Sequence, residues 1–171
     1  MRYDVVVVGG GPGGLAAACA AKKAGAKDVL VLERDERAGG ILNQCIHAGF
    51  GLHRFGKRMA GTDYAQTFID DVENSDIAVL LDTMVLEVNH DAKEITCVNS
   101  TLGLTVVKAG AIVLAMGCRE RTRAAISVPG TRPAGLYTAG SAQRLINRQN
   151  IMVGKEVVIL GSGDIGLIMA R

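Results

Sequence analysis

Gly9, Gly11 and Gly14 have the spacing GxGxxG, and Glu33 follows Gly14 by 19 residues. Without β-carbons a chain can turn tightly and bring its backbone against a pyrophosphate, while a carboxylate about 20 residues further on can accept from ribose hydroxyls. The chemistry this implies is the holding of a dinucleotide. Pro12 and Gly13, inside the turn, and Arg34, beside Glu33, are counted with the cofactor-binding residues. The same glycine spacing returns at Gly161, Gly163 and Gly166. Between the two fingerprints stand Cys45, a residue type that can act as a nucleophile, and His47, one that can serve as an acid or base. Each also has a plainer reading, a packed thiol and a loop histidine satisfied by backbone.

Such residues need elements to position them. "YDVVVVGGGPGGLAAACAAKKAGAKDVLVLER" reads as an apolar strand from Asp4 to Val8, a glycine turn, an Ala-rich helix ending near Gly25, and a second strand closing on Glu33. Continuous apolar strands joined by a helix indicate a parallel sheet covered on both faces. Further on, Thr62 and Asp63 are expected to cap a helix with Ala65, Phe68, Ile69 and Val72 on one face. Ala78 to Leu81 is a short strand. "TMVLEVNH", "EITCVNS" and "LTVVKA" are then expected to form an inserted antiparallel meander, after which "AIVLAMG" returns to the parallel type. "CRERTR" and the Pro129, Gly130 and Pro133 stretch read as linker, "SAQRLINRQN" as a helix capped by Ser141, and Glu156 to Leu160 as a buried strand before the second glycine turn.

Composition narrows the class. The chain has 171 residues, 49% of them hydrophobic, enough for one good core with little left over. Its 19 basic and 17 acidic residues are mixed along the chain and leave a formal charge of +2, which does not indicate nucleic acid. "HRFGKR", the densest basic patch, reads as a solvated loop. The uncharged run Val5 to Ala21 is broken by glycines and falls short of a membrane span, so a soluble cytoplasmic protein is expected. Four cysteines without a CxxC suggest neither a zinc ribbon nor a disulfide framework, and Cys45 with His47 and His53 fits no common metal-ligand pattern.

The ordered set of GxGxxG, Glu33, the pair Gly39 and Gly40, the meander, "IVLAMGCRER", "GLYTAGSAQRL" and a second GxGxxG resembles the FAD-dependent pyridine nucleotide-disulfide oxidoreductase superfamily. The resemblance covers essentially the whole chain. It implies an α/β fold: a Rossmann-like FAD-binding domain over residues 1–118, a linker and short helix over 119–150, and the start of a Rossmann-like NAD(P) domain over 151–171. It places the ADP part of FAD on the first fingerprint and Glu33, the adenine against the backbone of Val85, and NAD(P) at Gly161, Gly163 and Gly166. "AMG" from Ala115 to Gly117 resembles the family's ATG motif with Met116 in place of Thr, so Ala115 and Gly117 are the carried-over positions. The family's CxxxxC pair is absent, since Leu42 and His47 stand at those offsets; Cys45 could instead resemble the single redox cysteine of some relatives. "GGILNQCIHAGFGLHRFG" and "RPAGLYTAGSAQRL" resemble most the branch that includes subunits of amine and amino-acid dehydrogenase complexes. The expectation is the front part of a longer flavoenzyme, itself of little or no turnover and with FAD binding weakened or lost. Its partners would be NAD(P)H and an electron acceptor or further subunit, and residues 157–160 would pair with another copy or lie disordered. The alternative is a non-catalytic nucleotide-binding or assembly subunit.

Overall fold

The computed structural model describes residues 1–131 and 133–171; Arg132, the first residue of the "RPAGLYTAGSAQRL" segment, lies outside them. The chain divides into two units. One comprises Met1–Leu42 with Thr62–Gly117, the other Asn43–Gly61 with Cys118–Arg171. In chain order the elements are β1 (Arg2–Val8), α1 (Pro12–Lys23), β2 (Val29–Leu32), β3 (Ala48–Phe50), α2 (Leu52–Phe55), β4 (Met59–Ala60) and α3 (Gly61–Glu73). They continue with β5 (Ala78–Leu80), β6 (Thr83–Asn89), β7 (Glu94–Asn99), β8 (Gly103–Leu114), α4 (Ala139–Gln149) and α5 (Asp164–Ala170).

The first unit is built on a six-stranded sheet in the order β5-β2-β1-β8-β7-β6. β1 runs parallel to both neighbours, with Val5 opposite Val29 and Val7 opposite Val113. Successive side chains of a strand point to opposite faces, and β1 divides accordingly. Val7 joins Leu15 and Ala18 of α1, Val29 and Val31 of β2, and Phe68 and Val72 of α3 in one core. Val6 and Val8 meet Ile95, Cys97 and Val107 in the other. All four residues of β2 are buried, as a strand covered on both faces requires. Each such Val or Leu contributes about 1.5–3 kcal/mol relative to leaving it exposed.

Several local expectations are corrected. α3 begins at Gly61, so Thr62 and Asp63 lie inside its first turn rather than before it. "LTVVKA" and "AIVLAMG" are not separate strands but parts of the single strand β8, which changes partner midway. Lys108 faces Glu94 on antiparallel β7 and Arg2 on parallel β1, and every register position after it belongs to β1. Gly110 reads as a break in the sequence, yet a β-carbon there would stand 2.7 Å from the Asp4 carbonyl oxygen. Its role is close approach between strands. Glu156 to Leu160 forms no strand: among the described residues no neighbour pairs with it, and Val158 and Leu160 are 96% and 88% exposed. An apolar run alone does not make a ladder when no partner edge is present.

In the second unit, β3 and β4 form a short antiparallel pair, with Ala48 opposite Ala60 and Phe50 opposite Met59. The N-cap of α4 is Thr138, and Ser141 lies within the helix. The carboxylate at this helix end is Glu120, which accepts from the Gly140 N–H at 2.7 Å and the Ser141 N–H at 3.1 Å.

Candidate functional site

The first glycine turn is defined by where β-carbons would not fit. Gly9 has φ +109°, a region that L side chains rarely adopt, and a β-carbon there would run into the Ala115 carbonyl. One at Gly14 would overlap the Gly9 carbonyl oxygen. By contrast a β-carbon on Gly13 meets nothing within 4 Å, and Gly11 meets only the Gly40 Cα at 3.9 Å. The turn is thus packed underneath and open above. Helix α1 starts at Pro12, which has no N–H to leave unpaired; among the described residues no side chain caps it, and its first turn holds no acidic residue. Its leading amides are therefore left for an anion.

Glu33 is 7% exposed and fastens the turn from the side. Its Oε2 accepts from the Gly10 N–H at 2.6 Å and its Oε1 from the Asp35 N–H at 2.9 Å. A carboxylate has about four lone-pair directions, so two remain for hydroxyl donors. Gly39 donates to the Gly10 carbonyl at 2.7 Å, drawing the Gly39 and Gly40 pair up to the turn. The Thr83 N–H, two residues before Val85, donates to the Glu33 carbonyl at 2.8 Å, and the Val85 side chain packs against the core that holds Val6 and Val8. Ala115 donates to the Val8 carbonyl at 2.8 Å and so sits directly beneath Gly9. Arg34 is exposed beside Glu33, Met116 is 67% exposed, and Gly117 follows at φ +71°. Thr83, 1% exposed, was not legible as part of this site, because a Thr opening a strand carries no distinguishing signal.

Cys45 and His47 lie in the second unit. Cys45 is buried, burial pushes its thiol above the ordinary value of 9.0, and the Gly61 N–H holds its carbonyl at 2.8 Å. That is the reverse of the environment that makes a thiolate. His47 stacks at a tilt on Phe50, ring centroids 5.5 Å apart, and among the described residues its buried Nδ1 has no hydrogen-bond partner. Sequence reading missed what anchors this segment. Gln44, 4% exposed, donates through Nε2 to the Gly140 carbonyl and to Gln143 Oε1, while Asn147 Nδ2 donates to the Gln44 carbonyl at 2.8 Å. An amide cluster thus ties "NQCIH" to α4. These partners are about a hundred residues apart, beyond the reach of any periodicity.

The second fingerprint repeats the first in dihedral detail. Gly161 has φ +120°, Gly163 occupies the N-cap of α5 with φ −73° and ψ 169°, and Gly11 at the N-cap of α1 has −72° and 174°. A β-carbon on Gly166 would stand 2.7 Å from the Gly161 carbonyl oxygen, the same relation that Gly14 has to Gly9.

Comparison with known proteins shows the family and the fold. The family model described as pyridine nucleotide-disulphide oxidoreductase matches residues 3–171. An opine oxidase subunit from Agrobacterium tumefaciens (strain Ach5) is 32% identical over 98% of this chain and 34% of its own length. The alpha subunit of sarcosine oxidase from Corynebacterium sp. (strain U-96) is 30% identical over 96% of this chain and 17% of its own. The chain therefore spans about a third or less of these relatives. Among solved structures, L-proline dehydrogenase from P. horikoshii shares the fold with a TM-score of 0.78 at 21% identity, covering 98% of this chain and 33% of that one. Among the described residues no helix is long and apolar enough to cross a membrane.

Proposed function

Since this chain belongs to the pyridine nucleotide-disulphide oxidoreductase family, we propose that its first unit holds the ADP half of FAD within an oxidoreductase that exchanges hydride between NAD(P)H and flavin. The observation that carries this is the uncapped N-terminus of α1 over a turn whose underside is filled and whose outer side is open. In this reading the amides of Gly11, Gly13 and Gly14 receive the pyrophosphate, and Pro12 fixes the helix start. The free lone pairs of Glu33 receive the ribose hydroxyls. Gly39 and Gly40, with Ala115 and Gly117, let backbone approach the cofactor closely, Arg34 supplies a cation at the rim, and the Val85 backbone meets the adenine. FAD, when bound, supplies the redox chemistry; the protein supplies binding and orientation.

Of the two catalytic candidates, His47 is the better equipped to hold or move a proton, because its Nδ1 is buried without a partner. Cys45 has a thiol that burial keeps protonated, which favours a packing role. Gly161, Gly163 and Gly166 are proposed to open an NAD(P)-binding domain, with electrons passing to a further subunit or acceptor. Cytoplasmic location, and pairing of residues 157–160 with another copy, belong to the same proposal.

A second reading, a nucleotide-binding assembly subunit without catalysis, is favoured by the raised Cys45 thiol and the missing cysteine pair. Titrating the purified protein with FAD and following quenching of flavin fluorescence tests the first step. Uptake that is lost in Glu33→Ala is expected; uptake that Glu33→Ala leaves unchanged overturns the assignment. Anaerobic bleaching of the flavin by NADH or NADPH, measured in a protein of its relatives' full length, then separates the enzyme from the assembly role.

A further inference from the structure

The sequence between Arg37 and Asp63 contains no acidic residue, yet it carries Arg54, Lys57 and Arg58 along with His53. In the structure these cations are concentrated at one place. β3 and β4 form the stem of a hairpin, and the tip between them is the single helical turn α2. Two glycines fix the shape of the tip: Gly51 at φ +84° enters α2 and Gly56 at φ +67° leaves it. A β-carbon on Gly51 would press on Met59 Sδ at 2.8 Å and the Lys57 carbonyl at 2.9 Å, so the tip closes tightly on its own stem.

His53, Arg54, Lys57 and Arg58 are all exposed at this tip. Among the described residues Lys57 and Arg58 have no carboxylate within ion-pair distance. Interleaved with the cations are large apolar side chains that a solvated loop does not need: Leu52 is 53% exposed, Phe55 41%, and Ile46 below the stem 63%. Apolar anchors ringed by like charges on a preshaped tip have the anatomy of a protein-docking surface.

We propose that the β3-α2-β4 tip docks a partner protein whose surface presents carboxylates around an apolar socket. Leu52 and Phe55 enter the socket, while Arg54, Lys57 and Arg58 set orientation and encounter rate. Charge complementarity selects this occupant over two others. A membrane surface is disfavoured because one helical turn cannot lay an apolar stripe in the interface, and three Lys or Arg fall short of the usual polybasic cluster. A nucleic acid is disfavoured because Phe55 is the only Phe, Tyr or Trp in residues 52–58, and the Arg54 guanidinium lies over one face of its ring, 5.7 Å from the centroid. The site uses neither fingerprint, so it stands or falls separately from the flavin assignment.

The test measures fluorescence anisotropy of three labelled probes against the whole protein. These are a Glu- and Leu-containing peptide, phosphatidylglycerol vesicles and a single-stranded oligonucleotide, each titrated at two salt concentrations. The peptide is expected to bind best, with affinity falling as salt rises. The triple variant R54E/K57E/R58E should lose about tenfold or more, and Leu52→Ser, which leaves every charge in place, a smaller but measurable factor. All four substituted side chains are exposed, and circular dichroism checks that each variant is folded. Affinity unchanged within about twofold in the charge-reversed protein overturns the proposal, as does tighter binding of the vesicles or the oligonucleotide. Salt-sensitive self-association that the peptide cannot displace overturns it in favour of a second copy of the chain.

Discussion

A methyl group at Gly14 would occupy the space of the Gly9 carbonyl oxygen, whereas one at Gly13 would touch nothing. The two neighbours therefore separate packing from ligand approach. Gly14→Ala is expected to cost about 3 kcal/mol in denaturant unfolding, because backbone rather than a flexible side chain must yield. Gly13→Ala should gain up to about 1 kcal/mol through helix propensity while weakening FAD uptake. Thiols give a second residue-scale outcome. Burial raises Cys45 and Cys97, and burial followed by the nearby Asp71 carboxylate raises Cys19, while Cys118 is exposed. Iodoacetamide labelling mapped by mass is expected to find Cys118 modified first at neutral pH. A folded thiol raised above 9.0 stabilises the fold below that value, and the benefit is lost as pH climbs through the higher folded one. Glu33 and the glycines were legible because their chemistry lies in fixed spacing along the chain; Gln44 and Thr83 were not, because their partners are set by tertiary contact.

Two helix ends show opposite solutions to the same problem of unpaired amides. At α1 no side chain fills the position, but at α4 the Glu120 carboxylate does, coming from a stretch that reads as linker. Burial pushes Glu120 up, but the hydrogen bonds from Thr138, Gly140 and Ser141 together outweigh it and hold the carboxyl below its ordinary 4.5. A depressed carboxyl stabilises above its unfolded value and loses that contribution as pH falls through the folded one. Helical signal from α4 should therefore fade below pH 4.5, and Glu120→Ala should cost about 1 kcal/mol at neutral pH while removing that acid step. Circular dichroism over the acid range checks both. Element types in the first unit were readable from runs of apolar residues, since β1 and β2 are covered on both faces. The caps were not, because Glu120 reaches its helix from 20 residues upstream. Nor was the continuity of β8, where Gly110 mimics a stop.

Across the whole molecule the two units are packed unequally. The first holds both apolar cores, while the second shows Val158 and Leu160 almost wholly to solvent. The double variant V158K/L160K is expected to leave unfolding free energy within about 0.5 kcal/mol, since these side chains have little burial to lose. It should also lower dye binding and concentration-dependent association, and an unchanged light-scattering signal would count against these residues as the adhesive segment. The strand that was expected here failed because a ladder needs a second edge, which no local pattern supplies. The partner change in β8 has a further consequence, in the order in which the chain is made. β1 meets β2 soon after synthesis begins, but its other edge waits for residues about a hundred positions later, and the floor beneath Gly9 arrives only with Ala115. On the ribosome, then, the glycine turn is written first and shaped last, and a nascent chain has no finished cradle until β8 has left the exit tunnel.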